Sequence, residues 1–458
     1  MSEPIIVLGS GLSGLMAAVV LKQKFPRQDV INIEKAPQSG GLLIGHRVLG
    51  DRFDIGTHIL QETGRDDIDT VLRACIKPEN LIVLDSAVGD VAATVVGGGI
   101  CDRFGYPDVL SEDEGLAKQI LTEMEMLPKA EPSFSTKFKL RHTDFRVISR
   151  NWFGETATTS VTEPLVRRLF GEHNSLSGFA LELCNATRLG LVDVNKWEVK
   201  APDDTFRARV AYPDQRNLPI EYRHNRKSLY SFRGGSSDFV RGLMDLGFSL
   251  GIKYLTNTNV NSIDTARNEL SISANGETTS ISYAYLVSSI GPIFTRALIS
   301  GVKPVESDRV VYRLIHIVLD RPTNSDVCYA YFHDFQSPFF RITNYGAFSG
   351  REHDERLTIE VLGHDDISDS RLLDLTTKFL LEFEWTKNCS VVKSQVVRGM
   401  GGFPIPTLSQ FDQYYAASQD LESIKTRSVV FGGVGSEGVH FFQNEVLTHL
   451  LDQLSFIS

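Results

Sequence analysis

Six residues near the start of the chain, Gly9-Ser10-Gly11-Leu12-Ser13-Gly14, have the types and spacing to hold a pyrophosphate. In a G-x-G-x-x-G turn the first glycine permits a tight turn and the second lets backbone amides approach phosphate oxygens. The third lets the following helix pack close to the preceding strand. A helix opening there adds partial positive charge. The turn alone is a weak signal, because glycine-rich turns without a ligand share it. Its setting is more specific. The apolar run Pro4–Leu8 precedes it, a helical pattern spans Leu12 to about Lys24, and the β-branched segment Asp29–Ile33 ends at Glu34. A carboxylate there accepts from the ribose hydroxyls of an adenine dinucleotide and repels a 2′-phosphate.

Two further segments narrow the reading. Ser39-Gly40-Gly41-Leu42-Leu43 follows the acid closely, and Arg52-Phe53-Asp54-Ile55-Gly56-Thr57-His58-Ile59 comes next. In these stretches the sequence resembles the flavin-containing amine oxidase and protoporphyrinogen oxidase-like superfamily, which also contains phytoene desaturases and UDP-galactopyranose mutases. There a GG doublet and a D-x-G-x-H stretch follow the ribose-binding Glu. The resemblance implies FAD as cofactor. Gly9, Gly11, Leu12, Ser13 and Gly14 would lie at the pyrophosphate, and Glu34 and Lys35 at the adenosine ribose. Gly40, Gly41 and Leu42 would follow the phosphates and ribityl chain, and Gly56, Thr57 and His58 would run beside the isoalloxazine.

The resemblance continues at wide intervals. Thr162–Gly171 is similar to a family helix ending in glycine, and Tyr230–Gly235 to the GG stretch before a later helix. Asn259–Ile263 is similar to the strand in which a valine, here Val260, meets the adenine. Ser288–Pro292 resembles a strand ending in a small residue and proline. Phe339–Asn344 and Phe403–Thr407 resemble the mutase branch. One departure is clear. The family's final flavin contact carries Asp or Arg after a glycine, whereas this chain has Gly432-Gly433-Val434-Gly435-Ser436-Glu437-Gly438-Val439. Gly433 and Val439 are still expected at the flavin, through backbone amides.

The catalytic candidates are His58, which could polarise a bound substrate or be a core histidine held by backbone, and Arg341. His440, Phe441 and Phe442 could line the same cavity. Arg207, Arg209, Arg216, Arg223, Arg226 and Lys227, taken with Arg167, Arg168 and Arg341, could clamp an anionic small-molecule substrate, although each alone reads as solvated surface. The chain has no Ser/His/Asp elbow, HExxH, EF-hand loop or P-loop, so no metal is expected.

These residues need a frame. Strand, turn, helix and strand within about thirty residues make a βαβ unit and a parallel sheet. The middle, 91–227, shows hairpin-like pieces and helices near Glu112–Glu125, Thr162–Phe170 and Ser177–Thr187. A helix at Ser236–Leu250 leads into strands at Ile252–Leu255, Leu270–Ala274 and Ile281–Ser288. Further strands follow at Arg309–Leu319, Val327–Phe332, Phe339–Asn344 and Leu357–Leu362. A helix near Ser370–Glu384, a strand Ser428–Phe431, a glycine-rich turn and a helix from about Asn444 close the chain. The expected fold class is α/β (α+β overall). An FAD-binding Rossmann-type domain from 1–84, 228–301 and 416–458 interleaves with a substrate domain from 85–227 and 302–415, which holds an antiparallel sheet and helices.

The bulk properties agree. At 458 residues two domains are expected. A formal charge of −10 argues against nucleic acid as a partner. Cys75, Cys101, Cys184, Cys328 and Cys389 form no CxxC pair, which suits reduced cytoplasmic thiols. No basic stretch precedes an apolar one near MSEPIIVLG, so no secretory leader is expected, and no run of eighteen apolar residues spans a membrane. Peripheral membrane contact stays open. The resemblance implies an FAD-dependent oxidoreductase that takes a hydride from a C–N or C–C unit of a small organic substrate. The alternative is a UDP-galactopyranose mutase-like enzyme acting on a nucleotide sugar with no net redox change. A scaffold without activity is disfavoured by the intact phosphate motif.

Overall fold

The computed structural model describes residues 3–85, 92–96, 99–128, 137–223, 226–349, 354–399, 402–424 and 428–457. Parts of the expected middle region, 86–91, 97–98 and 129–136, lie outside the described residues.

A five-stranded parallel sheet has the order Lys253–Leu255, Val30–Ile33, Ile5–Leu8, Tyr285–Ser288, Val429–Phe431. Its strands are short apolar runs because both faces are covered. Ile5 and Val7 pack with helix Leu12–Lys24, while Ile6 and Leu8 pack on the opposite side with Ile263, Leu270 and Leu286. That helix is buried at most positions from Leu12 to Leu21 and lies against helices Ser237–Ser249 and Gln443–Gln453. Lys22 and Lys24 occupy its last turn, where cations favour the helix dipole. Strand order reverses at Ile5–Leu8, with Val30–Ile33 and Lys253–Leu255 on one side and Tyr285–Ser288 and Val429–Phe431 on the other. Ligands of open α/β sheets bind in the crevice at the carboxyl ends beside such a point.

The second large sheet is mostly antiparallel. Its order is Val391–Arg398, Tyr312–Leu319, Arg356–Leu362, Arg341–Asn344, Tyr329–Phe332, Ala92–Val96, Gly99–Cys101. Side chains alternate between its faces. Ile315, Ile317, Ala330, Ile342, Leu357, Ile359 and Val361 face helix Asp369–Glu382 and build one core. The alternate positions, among them Tyr312, Tyr331, Arg341, Thr343, Thr358 and Glu360, line the other face. A separate helical core gathers helices Glu114–Met126, Phe145–Phe153 and Glu163–Phe170 around Phe145, Phe153, Phe170 and Trp197.

Most expected elements are present within two residues of their sequence boundaries. The run Ile281–Ser288 is not one strand. It divides into Glu277–Ser282, in a three-stranded meander, and Tyr285–Ser288, in the parallel sheet. Between them the amides of Tyr283 and Ala284 donate to Asn268 O and Pro4 O, which carries the chain from one sheet to the other. The expected helix Ser177–Thr187 is only Phe179–Leu183. Strand Val391–Arg398 and helix Leu408–Ile424 were not anticipated, because both are polar elements with few buried positions.

Candidate functional site

Three glycine turns meet at the carboxyl ends of adjacent parallel strands. Gly9 follows Ile5–Leu8 with φ +86°, and a Cβ there would lie 2.8 Å from Ser289 Oγ. A Cβ on Gly14 would sit 2.0 Å from Gly9 O, so helix and strand touch at this point. Gly11 differs. A Cβ on it would meet no described atom within 4 Å, so its lack of a side chain leaves space open above the helix N-terminus. No side chain caps that end and no acid lies in its first turn. The amides there keep their partial positive charge for an anion. Leu12 and Gly14 are buried beneath the turn, and Ser13 lies on its half-exposed side.

Glu34 is held beside the turn. Its Oε2 accepts from Ser10 N at 2.8 Å and Ser10 Oγ at 2.9 Å, and its Oε1 accepts from Ala36 N at 2.9 Å. Lys35 is exposed. The Gly40 amide donates to Ser10 O at 2.7 Å, bringing Gly40 and Gly41 against Gly11. Leu42 next to them is 66% exposed, and the buried Ser39 Oγ has no hydrogen-bond partner among the described residues. Thr258 N donates to Glu34 O at 3.0 Å, and two residues on, Val260 packs in the same cluster as Ile33. The structure therefore gathers Gly9, Gly11, Gly14, Glu34, Gly40, Gly41 and Val260 in one neighbourhood.

The loop Gly56-Thr57-His58 lies against the polar face of the antiparallel sheet. Gly56 has φ +85°, and a Cβ there would strike Tyr312 Oη at 2.4 Å. Thr57 N donates to Glu360 Oε1 at 3.1 Å, and Tyr312 Oη donates to Glu360 Oε2 at 2.8 Å. Arg341 binds the same carboxylate at two points, Nε to Oε1 at 2.6 Å and Nη2 to Oε2 at 2.9 Å. Burial alone would lower the Arg341 pKa, but Glu360 outweighs it and holds the guanidinium above its ordinary range. Burial likewise works to raise Glu360, and Arg341 reverses the direction and keeps it ionised. His58 Nδ1 lies 3.3 Å from Gly56 O, and burial lowers its pKa, so the ring is neutral near pH 7. The loop is positioned from beneath by Asp54, which accepts from Ser236 N, Ser236 Oγ and Tyr230 Oη within 2.9 Å. Asp54 thus anchors the loop to the start of helix Ser237–Ser249.

The C-terminal glycine turn completes the crevice. A Cβ on Gly433 would be 2.4 Å from Ser289 O, so this turn packs onto the one after Tyr285–Ser288. Arg141, fully buried, donates to Val439 O and to Glu182 and Glu445, and stacks on Phe179, Phe441 and Phe442. It fastens the loop that holds Val439 to the helical core. Sequence reasoning missed Arg141, Tyr312 and Glu360. Glu360 carries no readable signal in the sequence: its alternation with Leu357, Ile359 and Val361 suggests a solvent face, yet it is buried.

Members of the expected arginine clamp have local partners. Arg207 pairs with Asp204, Arg216 with Asp326 at 2.9 Å, and Lys227 with Asp85 at 3.3 Å. Arg209 donates to Pro128 O at 3.0 Å and Arg223 to Leu218 O at 2.5 Å. Arg167 pairs with Glu163, and Arg168 donates to the carbonyls of Asp334, Ser337 and Phe339. These groups are engaged locally, because a polar, loop-rich segment needs donors for its own carbonyls and carboxylates. Arg341 is neutralised by Glu360 rather than presented to an anion. Among the described residues no helix is long and apolar enough to cross a membrane.

The family model of the NAD(P)-binding Rossmann-like domain matches residues 7–74. No curated protein matches the chain by sequence. Solved structures share its fold over nearly their whole length. A reduced UDP-galactopyranose mutase is 17% identical with a TM-score of 0.73, covering 100% of this chain and 95% of its own. A candidate protoporphyrinogen oxidase from Exiguobacterium sp. 255-15 is 14% identical with a TM-score of 0.64, covering 100% and 99%. Cyclohexylamine oxidase from Brevibacterium oxydans IH-35A is 13% identical with a TM-score of 0.59, covering 100% and 99%. At these identities the likeness is one of fold.

Proposed function

We propose that this chain is an FAD-dependent oxidoreductase acting on a small organic substrate. The observation that carries the reading is the open space above Gly11 at an uncapped helix N-terminus, bordered by Glu34 and the Gly40-Gly41 doublet. The fit extends beyond the phosphates. The orphan Ser39 hydroxyl and the exposed Leu42 flank the doublet and would be available to the rest of the cofactor, and the Gly433 and Gly291 turns pack backbone to backbone at the end of the sheet. A cyclohexylamine oxidase shares the fold, which supports a flavin-type enzyme.

Bound FAD would supply the electron acceptor for a hydride leaving a C–N or C–C unit. The chain's own part is positional. His58, neutral by burial, can accept or share one hydrogen bond with a substrate without adding charge. The Arg341–Glu360 pair and Tyr312 fix the wall behind Thr57 and leave no net charge there. Such a wall suits a neutral or amine substrate better than the anionic one expected from the sequence.

A second reading, a mutase-like enzyme on a nucleotide sugar, is favoured by the shared fold with the UDP-galactopyranose mutase. One experiment separates the two. Purified protein is denatured and the released cofactor identified. The holoprotein is then mixed anaerobically with amines and, separately, with UDP-sugars after chemical reduction. Bleaching of the flavin by an amine supports the first reading; sugar isomerisation without bleaching supports the second. Failure to bind FAD, or NAD found alone in the site, would overturn both.

A further inference from the structure

Beyond the dinucleotide crevice, one cluster brings metal-ligating groups together. Glu437 and His440 lie in the C-terminal glycine loop, and His449 lies in the following helix, Gln443–Gln453. One ligand atom from each lies within 4.8 Å of the other two. His440 Nε2 is 3.4 Å from Glu437 Oε2, and His449 Nδ1 is 3.9 Å from Glu437 Oε1. The two imidazoles stack with centroids 4.3 Å apart and planes 18° from parallel, so binding one ion requires the rings to tilt until both in-plane lone pairs point to it.

These separations are long for hydrogen bonds to a carboxylate, which close to about 2.7–2.9 Å. The first is close to the edge of a tetrahedron around zinc, about 3.3 Å for metal–ligand bonds of about 2.0–2.1 Å, and the second is longer, so the ligands must draw together on binding. Burial is graded in the same sense. The side chains of His449 and His440 are 10% and 22% exposed, whereas that of Glu437 is 58% exposed, so two imidazoles line the inner side and solvent reaches the outer one. A small cavity of about 30 Å³ adjoins the cluster, walled by Ser418, Glu422, Ser436, Glu437, His449 and Gln453. It holds about one water molecule.

The backbone gives an independent reason to regard the cluster as built. Glu437 has φ +54°, a left-handed conformation that glycine or asparagine adopts at lower cost. It lies between Gly435 and Gly438, also at positive φ, and its amide donates to Ser418 Oγ at 2.9 Å. The loop therefore holds a strained glutamate where its carboxylate meets both rings.

We propose that Glu437, His440 and His449 form a three-ligand site for a divalent cation of zinc type, with water as the fourth ligand. The metal would pin the loop carrying Gly433 and Val439 to helix Gln443–Gln453. This site differs from the helical HExxH pattern, because two ligands come from a loop and the third from the helix after it. The proposal does not depend on the identity of the dinucleotide.

The test uses the full chain, stripped with a chelator and dialysed. Zinc is titrated calorimetrically, and cobalt(II) is added while visible absorption is recorded. One equivalent with micromolar or tighter affinity is expected, together with the intense d–d bands of four-coordinate cobalt. His440→Ala and His449→Ala should each weaken binding at least about tenfold, and Glu437→Gln, which keeps the side-chain shape, should also weaken it. His173→Ala, outside the cluster, should bind as the parent does. Zinc should raise the melting temperature of the parent and leave that of His449→Ala unchanged. Absence of a one-equivalent phase would overturn the proposal. So would retention of that phase in Glu437→Gln and the His440→Ala/His449→Ala double variant.

Discussion

Arg341 and Glu360 are register partners on neighbouring antiparallel strands, and their side chains close a two-point ion pair on the face that supports Thr57. Glu360 is 1% exposed and also receives Thr57 N and Tyr312 Oη, so one carboxylate joins three strands and the loop. Removing one partner strands a buried charge. Glu360→Gln is expected to cost about 3–5 kcal/mol in urea unfolding. The double variant Arg341→Met/Glu360→Leu should lose less than either single charge removal. A double variant as unstable as the sum of the singles would show that the pair is not coupled.

The two inner glycines of the phosphate turn should fail in different ways. Gly14→Ala places a methyl 2.0 Å from Gly9 O, so the helix must move off the strand and soluble yield should fall. Gly11→Leu meets open space and has φ −69°, which any residue adopts. It should fold with unchanged circular dichroism while FAD affinity drops at least about tenfold, a loss of about 1.4 kcal/mol or more. Full FAD binding by Gly11→Leu would remove the pyrophosphate from this turn.

Acid should weaken the protein earlier than its carboxylates can explain. His316 lies behind Phe53 with its Nε2 3.1 Å from His46 Nδ1, and burial, with His46, pushes its pKa down to about 3. Burial pushes His333 to about 3 as well. The unfolded rings take their protons near pH 6.5, so between about 3 and 6.5 the unfolded state binds more protons and stability falls as pH is lowered. Each ring should cost about 2 kcal/mol between pH 6.5 and 5. His316→Gln should flatten that limb of the pH–stability curve; an unchanged slope would assign it elsewhere.

Arg141 should govern the C-terminal loop without touching a ligand. Arg141→Met leaves Glu182 and Glu445 without their shared cation and frees Val439 O. A loss of about 3–5 kcal/mol is expected, with faster proteolysis in the Gly432–Phe442 loop. Cleavage at the parent rate would show that the loop is held by other contacts.

The start of the parallel sheet was legible because Ile5–Leu8 is an uninterrupted apolar run that stops at a glycine turn. The phosphate turn was legible for the same reason: Gly9, Gly11 and Gly14 have separate steric duties within six residues. The wall behind Thr57 was harder to read. Tyr312, Arg341 and Glu360 lie on three strands far apart in sequence, and only register brings them together. Alternation in Arg356–Leu362 suggests a solvent face, whereas all seven residues are buried. The basic stretch failed as a guide because residue type reports charge, not direction. Asp204 pairs with Arg207 at the local i,i+3 spacing, but Asp326 and Asp85 neutralise Arg216 and Lys227 from places that no local pattern indicates.

The strand order has a consequence for biosynthesis. Ile5–Leu8 emerges from the ribosome early, yet its neighbour Tyr285–Ser288 follows some 280 residues later and Val429–Phe431 later still. At about 5–20 residues per second the first strand waits tens of seconds for that neighbour. Until then its edge is a template for foreign pairing. The parallel sheet therefore closes only near the end of synthesis, when Val429–Phe431 reaches Tyr285–Ser288.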